Sequence, residues 1–310
     1  MKLYKPNFWK KNYYNIYSLI LLPISILIQL LNLIKKVIIT TKKFNIPVIC
    51  IGNIYIGGTG KTPLTLEIYN ILKNMNKNPA IVKKFYKNQY DEIELIKNKA
   101  KNFFTNLSRQ KAIEEVQNNN CDIVILDDGY QDYSIKKDLK ILCFNEKQLI
   151  GNGHTIPSGP LREGLSSIKK SQIIVINGNE NKDFENKLKK ISKNINIFYS
   201  KYIPVLSKDF ISKKFLAFAG IGNPENFFDT LREFNLNIDI SKIFPDHYSY
   251  KKNEIENLLN LANKNKLDLI TTEKDHYRLK KLGFNINYFP IKVQIKEKDK
   301  FEKIIKSYIK

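Results

Sequence analysis

Hydrophobic and polar positions divide the chain into two unlike parts. From Ile16 to Ile34 the sequence IYSLILLPISILIQLLNLI runs for nineteen residues without a charge, interrupted by Pro23, Gln29 and Asn32. That length is near the minimum for crossing hydrocarbon, and Pro23 predicts a break or kink. Lys10 and Lys11 precede the run and Lys35, Lys36, Lys42 and Lys43 follow it, so the distribution of positive charge gives no orientation. No small-x-small cleavage site follows, which argues against a cleaved secretory signal. Three readings stay open: a helix anchored to or lying in a membrane interface, a true span, or a buried helix of a soluble fold.

Beyond residue 44 short apolar, β-branched runs alternate with longer segments of helical period. The runs are Val48 to Ile51, Ile123 to Leu126, Ile141 to Phe144, Ile173 to Ile176, Phe215 to Ala219 and Leu267 to Thr271. A parallel sheet covered on both faces needs strands that are apolar throughout, so the pattern predicts a doubly wound α/β protein. The Lys-, Asn- and Ser-rich stretch from Asn181 to Lys214 is the expected boundary before a second, smaller α/β unit.

Composition changes the picture in two ways. The 310 residues carry 52 basic against 30 acidic side chains, a net charge of +22, yet only four of the basic residues are arginines: Arg109, Arg162, Arg232 and Arg278. Readers of DNA sequence use arginine forks on guanine edges, so this lysine excess does not mark such a reader; it suits attraction to a membrane surface or a phosphorylated substrate. Cys50, Cys121 and Cys143 each sit in or beside an apolar run, without a CxxC spacing, and are expected to pack in the core of a protein from a reducing compartment.

The strongest chemistry follows the first strand. In Gly52-Asn53-Ile54-Tyr55-Ile56-Gly57-Gly58-Thr59-Gly60-Lys61-Thr62, the glycines at 57, 58 and 60 let backbone N–H groups, including that of Thr59, turn toward phosphate oxygens. Lys61 reaches the β/γ-phosphates and the Thr62 hydroxyl can ligate Mg²⁺. The motif departs from a strict P-loop at Tyr55, which stands in the first glycine position. Further on, an apolar strand ends in Asp127-Asp128-Gly129, which puts carboxylates at the carboxyl edge of a sheet, where such folds bind ligands and where a P-loop protein holds its metal. ATP and Mg²⁺ are therefore the expected cofactors. Where lysine has taken nearly every basic site, Arg162 in the turn-rich loop GNGHTIPSGPLRE suggests a bidentate task, on an oxyanion or on a carboxylate such as Glu163. Gln131 is a candidate substrate or metal-shell contact.

In order along residues 52 to 275, the strings GNIYIGGTGKTP, LDDGYQD, GNGHTIPSGPLREGLS, FAGIGNPENFFDTL, FPDHYSY and TTEKD closely resemble the tetraacyldisaccharide 4′-kinases, the lipid A 4′-kinase family. The resemblance implies an ATP-dependent enzyme that moves the γ-phosphoryl to the 4′-hydroxyl of a tetraacylated glucosamine disaccharide 1-phosphate. It implies residues 1–43 as a membrane-associating N-terminal helix region, 44–208 as a P-loop kinase domain, and 209–310 as a C-terminal α/β domain completing the active-site cleft. It also implies a catalytic Asp91 in the pair Asp91-Glu92 and a partner His247 in FPDH, beside Lys61. Thr62, Asp127, Asp128 and Glu92 are then the metal candidates, and Asn53, Gln131, Arg162 and Glu163 the substrate contacts. The expected setting is a monomer at the cytoplasmic face of the inner membrane, working on an acylated lipid at an anionic surface, without nucleic acid. The alternative is a membrane-tethered P-loop ATPase or switch that acts through partner binding. Three departures stand out. Lys83-Lys84-Phe85-Tyr86-Lys87 occupies the place of the family's Ser-Arg-Gly-Tyr-Gly, Asp132 the place of a His, and His154 that of an Arg.

Overall fold

The computed structural model describes residues 5–10, 15–205, 210, 212–246 and 248–309, apart from the side chain of Asn88. Twelve strands are described: β1 (Val48–Gly52), β2 (Pro79–Lys84), β3 (Phe103–Asn106), β4 (Ile123–Asp127), β5 (Leu139–Asn145), β6 (Ile173–Asn177), β7 (Asn196–Pro204), β8 (Lys214–Ala219), β9 (Asn237–Ile243), β10 (Asp268–Thr272), β11 (Asn287–Phe289) and β12 (Ile291–Ile295). They form an eight-stranded sheet in the order β12-β7-β6-β5-β1-β4-β2-β3 and a four-stranded sheet in the order β11-β10-β8-β9. From β7 to β3 every neighbouring pair of the large sheet is parallel, and so is every pair of the small one. The expected α/β class is what the structure has. Each of the six apolar runs is a strand, and β1 and β4 are buried at every position.

The helices are α1 (Ile16–Ile20), α2 (Leu22–Ile38), α3 (Lys61–Asn74), α4 (Tyr90–Lys99), α5 (Arg109–Asn118), α6 (Lys182–Ile191), α7 (Pro224–Glu233), α8 (Lys252–Lys264), α9 (Glu273–Lys280) and α10 (Lys298–Tyr308). Two compact units result, and they interleave along the chain. The larger comprises Lys5–Phe85, Ala100–Lys201 and Val293–Lys310; the smaller comprises Tyr86–Lys99 and Tyr202–Lys292. The division is thus not the linear one expected at 208/209, two positions that lie outside the described residues. The expected boundary between Asn181 and Lys214 does contain one of the junctions, between Lys201 and Tyr202, within a stretch that also carries α6, capped by the Asn181 side chain on the Phe184 N–H, and β7.

The N-terminal run is divided by its proline, which does not kink a helix. Pro23 lies in the first turn of α2, where a missing N–H goes unnoticed, and α1 ends just before it. Of the helix α2 only Ser25 is fully buried, while Ile24, Ile26, Leu27, Leu30, Leu31, Leu33, Ile34, Val37 and Ile38 are exposed. In α2 the polar residues Ser25, Gln29 and Lys36 recur at spacings of 4 and 7, which stack them on one helical face, and Ser18 of α1 joins them. That face binds the loop 152–163. Ser18 Oγ donates to Ser158 O at 2.8 Å, Ser25 Oγ to Thr155 O at 2.9 Å, Gln29 Nε2 to Thr155 Oγ1 at 2.9 Å, and Lys36 Nζ to Glu163 at 3.0 Å. The helix is therefore inverted relative to an ordinary surface helix, polar side in and apolar side out. Among the described residues no helix is long and apolar enough to cross a membrane.

Candidate active site

In the large unit the site is built where β1 and β4 end side by side. Ile51 of β1 pairs with Asp127 of β4, so the loop after β1 and the carboxylates after β4 emerge together. Gly57 and Gly60 take positive φ, 80° and 87°, and Gly60 caps α3, whose first residue is Lys61. These are the two places where the loop needs a left-handed backbone, conformations that glycine adopts without strain. Tyr55 is tolerated in the first glycine position because its backbone there is not a tight turn: it forms a bridge with Leu161, flanked by Ile56 N–H to Pro160 O and Arg162 N–H to Ile54 O. This bridge carries the GPLRE segment onto the phosphate loop.

Asn53 holds the loop from beneath. It is fully buried, and its amide donates to Tyr55 O at 2.6 Å and Thr59 Oγ1 at 2.8 Å, while Gln131 Nε2 donates to Asn53 O at 2.8 Å. The structure thus places Asn53 and Gln131 as internal braces of the loop.

The two aspartates have different surroundings. Asp127 is fully buried; its Oδ1 accepts from Thr65 Oγ1 at 3.0 Å, and its Oδ2 accepts from Lys83 Nζ at 2.8 Å and more distantly from Thr62 Oγ1 at 3.4 Å. Asp128, in a left-handed conformation with φ 55°, meets the Arg162 guanidinium at 3.0 and 3.1 Å and Lys61 Nζ at 3.8 Å. Burial raises the proton affinity of Asp128, but Lys61 and Arg162, followed by Lys83, outweigh it and hold its carboxyl at about 2, well below the ordinary carboxylate range. Arg162 meets Asp128 in place of Glu163, and a single nitrogen, Nη1, reaches both carboxylate oxygens in place of the two-nitrogen fork expected. The Glu163 carboxylate instead receives Lys36 of α2, so successive residues of the loop tie the phosphate site to the N-terminal helix. Arg109 donates to the Asp128 carbonyl at 2.7 Å and to Asp132 at 3.2 Å, which gives Asp132, in the place of a histidine, a structural charge partner.

Asp91 and Glu92 lie at the start of α4, in the smaller unit. Asp91 is buried and ion-paired with Arg278, which also binds Asp275 and the Gly220 carbonyl. Glu92 pairs with Lys274, and Lys99 at the other end of α4 pairs with Glu273. The TTEKD motif is thereby explained: three successive charged residues, Glu273, Lys274 and Asp275, bond α9 to α4 directly or through Arg278. His247 lies outside the described residues. Sequence reasoning missed Lys83 and the polar stripe on α2. The stripe was readable as a helical spacing of serines and glutamine inside the apolar run; Lys83 was not, because its place follows from the pairing of β2 with β4.

A parallel sheet with a phosphate loop between its first strand and helix, a hydroxyl at Thr62 and an acid at the end of a neighbouring strand defines a P-loop nucleoside-triphosphate enzyme of the phosphoryl-transfer kind. The family model for tetraacyldisaccharide-1-P 4′-kinase matches residues 17–310, and the chain belongs to that family. A tetraacyldisaccharide 4′-kinase from Pelagibacter ubique is 42% identical over 99% of this chain and 98% of its own length, and one from Rickettsia felis is 34% identical over the same shares. Among solved structures, LpxK from Aquifex aeolicus, crystallised with ATP, superposes with a TM-score of 0.72 at 22% identity, covering 95% of this chain and all of its own.

Proposed function

We propose that this protein transfers the γ-phosphoryl of ATP to the 4′-hydroxyl of a tetraacylated disaccharide 1-phosphate, at the cytoplasmic surface of a membrane. The observation that carries the reading is the Asp128 carboxylate held between Lys61 and Arg162 at the mouth of a phosphate loop. Two cations converge there on one oxyanion, and the triphosphate is the anion that replaces it. Lys61 and Arg162 then neutralise charge on the transferring group, and the N–H groups of residues 57–61 fix the phosphates in line for attack.

Thr62, Asp127 and Asp128 offer hard oxygen donors beside the phosphate loop, a set that fits Mg²⁺. Bound there, the ion would supply charge neutralisation on the β- and γ-oxygens. Asp91 takes the role of base toward the attacking hydroxyl, with His247 as its partner, and the ion pair with Arg278 fixes the orientation of the Asp91 carboxylate. The exposed apolar face of α2 lies in the lipid interface, and the chain's excess of lysine suits anionic headgroups.

Incubation with labelled ATP and the acylated disaccharide 1-phosphate in detergent tests the reading. Label is expected in the lipid, and Lys61→Ala should lower the rate by about a hundredfold or more, as loss of a transition-state charge does. Asp91→Asn should reduce kcat with little change in the KM for ATP. Nucleotide hydrolysis without a labelled lipid would overturn the assignment in favour of a P-loop switch.

A further inference from the structure

A lysine is almost never fully buried without a charged partner, yet Lys83 is 2% exposed and is among the largest wholly enclosed side chains of the protein. Strand register puts it there. Lys83 of β2 pairs directly with Asp127 of β4 in parallel alignment, and its ammonium reaches Asp127 Oδ2 at 2.8 Å. Desolvating both charges offsets much of their attraction, so such a pair is a poor way to gain stability.

The consequence is a change in the charge of the site. Asp127 and Asp128 face three cations, Lys61, Lys83 and Arg162, while Arg109 is matched by Asp132. Among these described residues the cations exceed the carboxylates by one, where an uncharged residue at 83 would leave them equal. We propose that Lys83 is a positioning residue that makes divalent-cation binding conditional on nucleotide. Its ammonium already satisfies Asp127, so a free cation meets no net negative charge at Thr62, whereas a triphosphate is welcomed without its metal and brings the charge that then holds the ion. The inference rests on the P-loop reading but not on the lipid acceptor.

Two binding measurements on the intact protein test it, neither requiring phosphoryl transfer. One titrates Mn²⁺ against nucleotide-free protein by the electron paramagnetic resonance of the free ion; the other titrates a non-hydrolysable ATP analogue in excess chelator by calorimetry. Relative to the parent, Lys83→Met and Lys83→Ser should bind Mn²⁺ at least about tenfold more tightly and the metal-free analogue at least about tenfold more weakly, because one buried unit charge a few ångströms away acts in opposite senses on a cation and an anion. Lys83→Arg should behave as the parent does. Loss of structure alone would weaken both affinities, so a fall in both, or no change in either, overturns the proposal. Should both uncharged variants fail to fold, the parent decides: a Mn²⁺ site filled at micromolar concentration without nucleotide refutes it, and binding of the metal-free analogue without such a site supports it.

Discussion

Serine substitutions at Leu27, Leu31 and Ile34 test the role of the inverted helix most directly. At 100° per residue these three side chains lie on the side of α2 opposite Ser25 and Gln29, and they are 58%, 56% and 55% exposed. Fully burying such a side chain is worth about 1.5–3 kcal/mol. Covering the exposed half of each by lipid is therefore worth about 1 kcal/mol, or about 3–4 kcal/mol for the three, a few-hundredfold change in partition coefficient. None of the three is a buried core side chain, so the melting temperature should stay within about 2 °C of the parent, as for surface substitutions generally. Sedimentation with vesicles containing anionic phospholipid, read beside thermal unfolding, separates the two effects: the triple variant should remain in the supernatant and still melt as the parent does. Equal sedimentation of parent and variant would show that this face does not contact lipid. A large fall in melting temperature would show that it is covered by protein.

Other outcomes follow from the same geometry. Because the folded pKa of Asp128 lies below its ordinary value of 3.8, the unfolded chain takes up the proton first as pH falls. Its contribution is complete above that value and disappears on the way down to about 2, so the stability gap between the parent and Asp128→Asn should shrink by about 2 kcal/mol in urea titrations run from about pH 6 to about pH 2.5. A gap independent of pH would remove the charge partners of Asp128 from the account. All three cysteines are buried and free, and burial pushes the Cys50 thiol up to about 11 and that of Cys143 further. A thiol reagent at neutral pH should therefore leave the native protein unmodified and titrate three groups after denaturation; rapid modification of the folded protein would contradict this packing.

Much of this arrangement was legible in the chain because the relevant signals are local. The runs at Val48, Ile123 and Ile173 are apolar at every position, as two-sided burial demands, and Gly57, Gly60, Lys61 and Thr62 occupy one continuous loop whose backbone requirement writes itself into glycine. Strands β2, β3, β7, β9, β11 and β12 were not anticipated; PAIVKK, FFTN and NIDISKI, for instance, mix polar residues into short segments whose pairing is decided by neighbours distant in sequence. The same reason hid Lys83, whose meaning depends on the alignment of β2 with β4. Arg162 stood out as a rare arginine, but its pairing with Asp128 over the adjacent Glu163 depends on the bridge between Tyr55 and Leu161, which only the folded chain supplies. Asp91 and Glu92 are the acidic residues of the first turn of α4. The incorporation of Asp91 into the smaller unit through Arg278 was not legible, because the partner is 187 residues away.

The interleaving of the two units has a consequence for synthesis. β12 flanks β7 at one end of the sheet that β1 began, and Phe301 of α10 packs edge-on against Phe198 in its core. A ribosome must therefore have made β12 and α10 before the phosphate-binding sheet is complete, although the loop that gives the sheet its chemistry was made more than 200 residues earlier. Until then β7 is an open edge, a hazard for pairing with other nascent chains. A nascent chain cut short before β12 would carry the whole phosphate loop on an unfinished sheet.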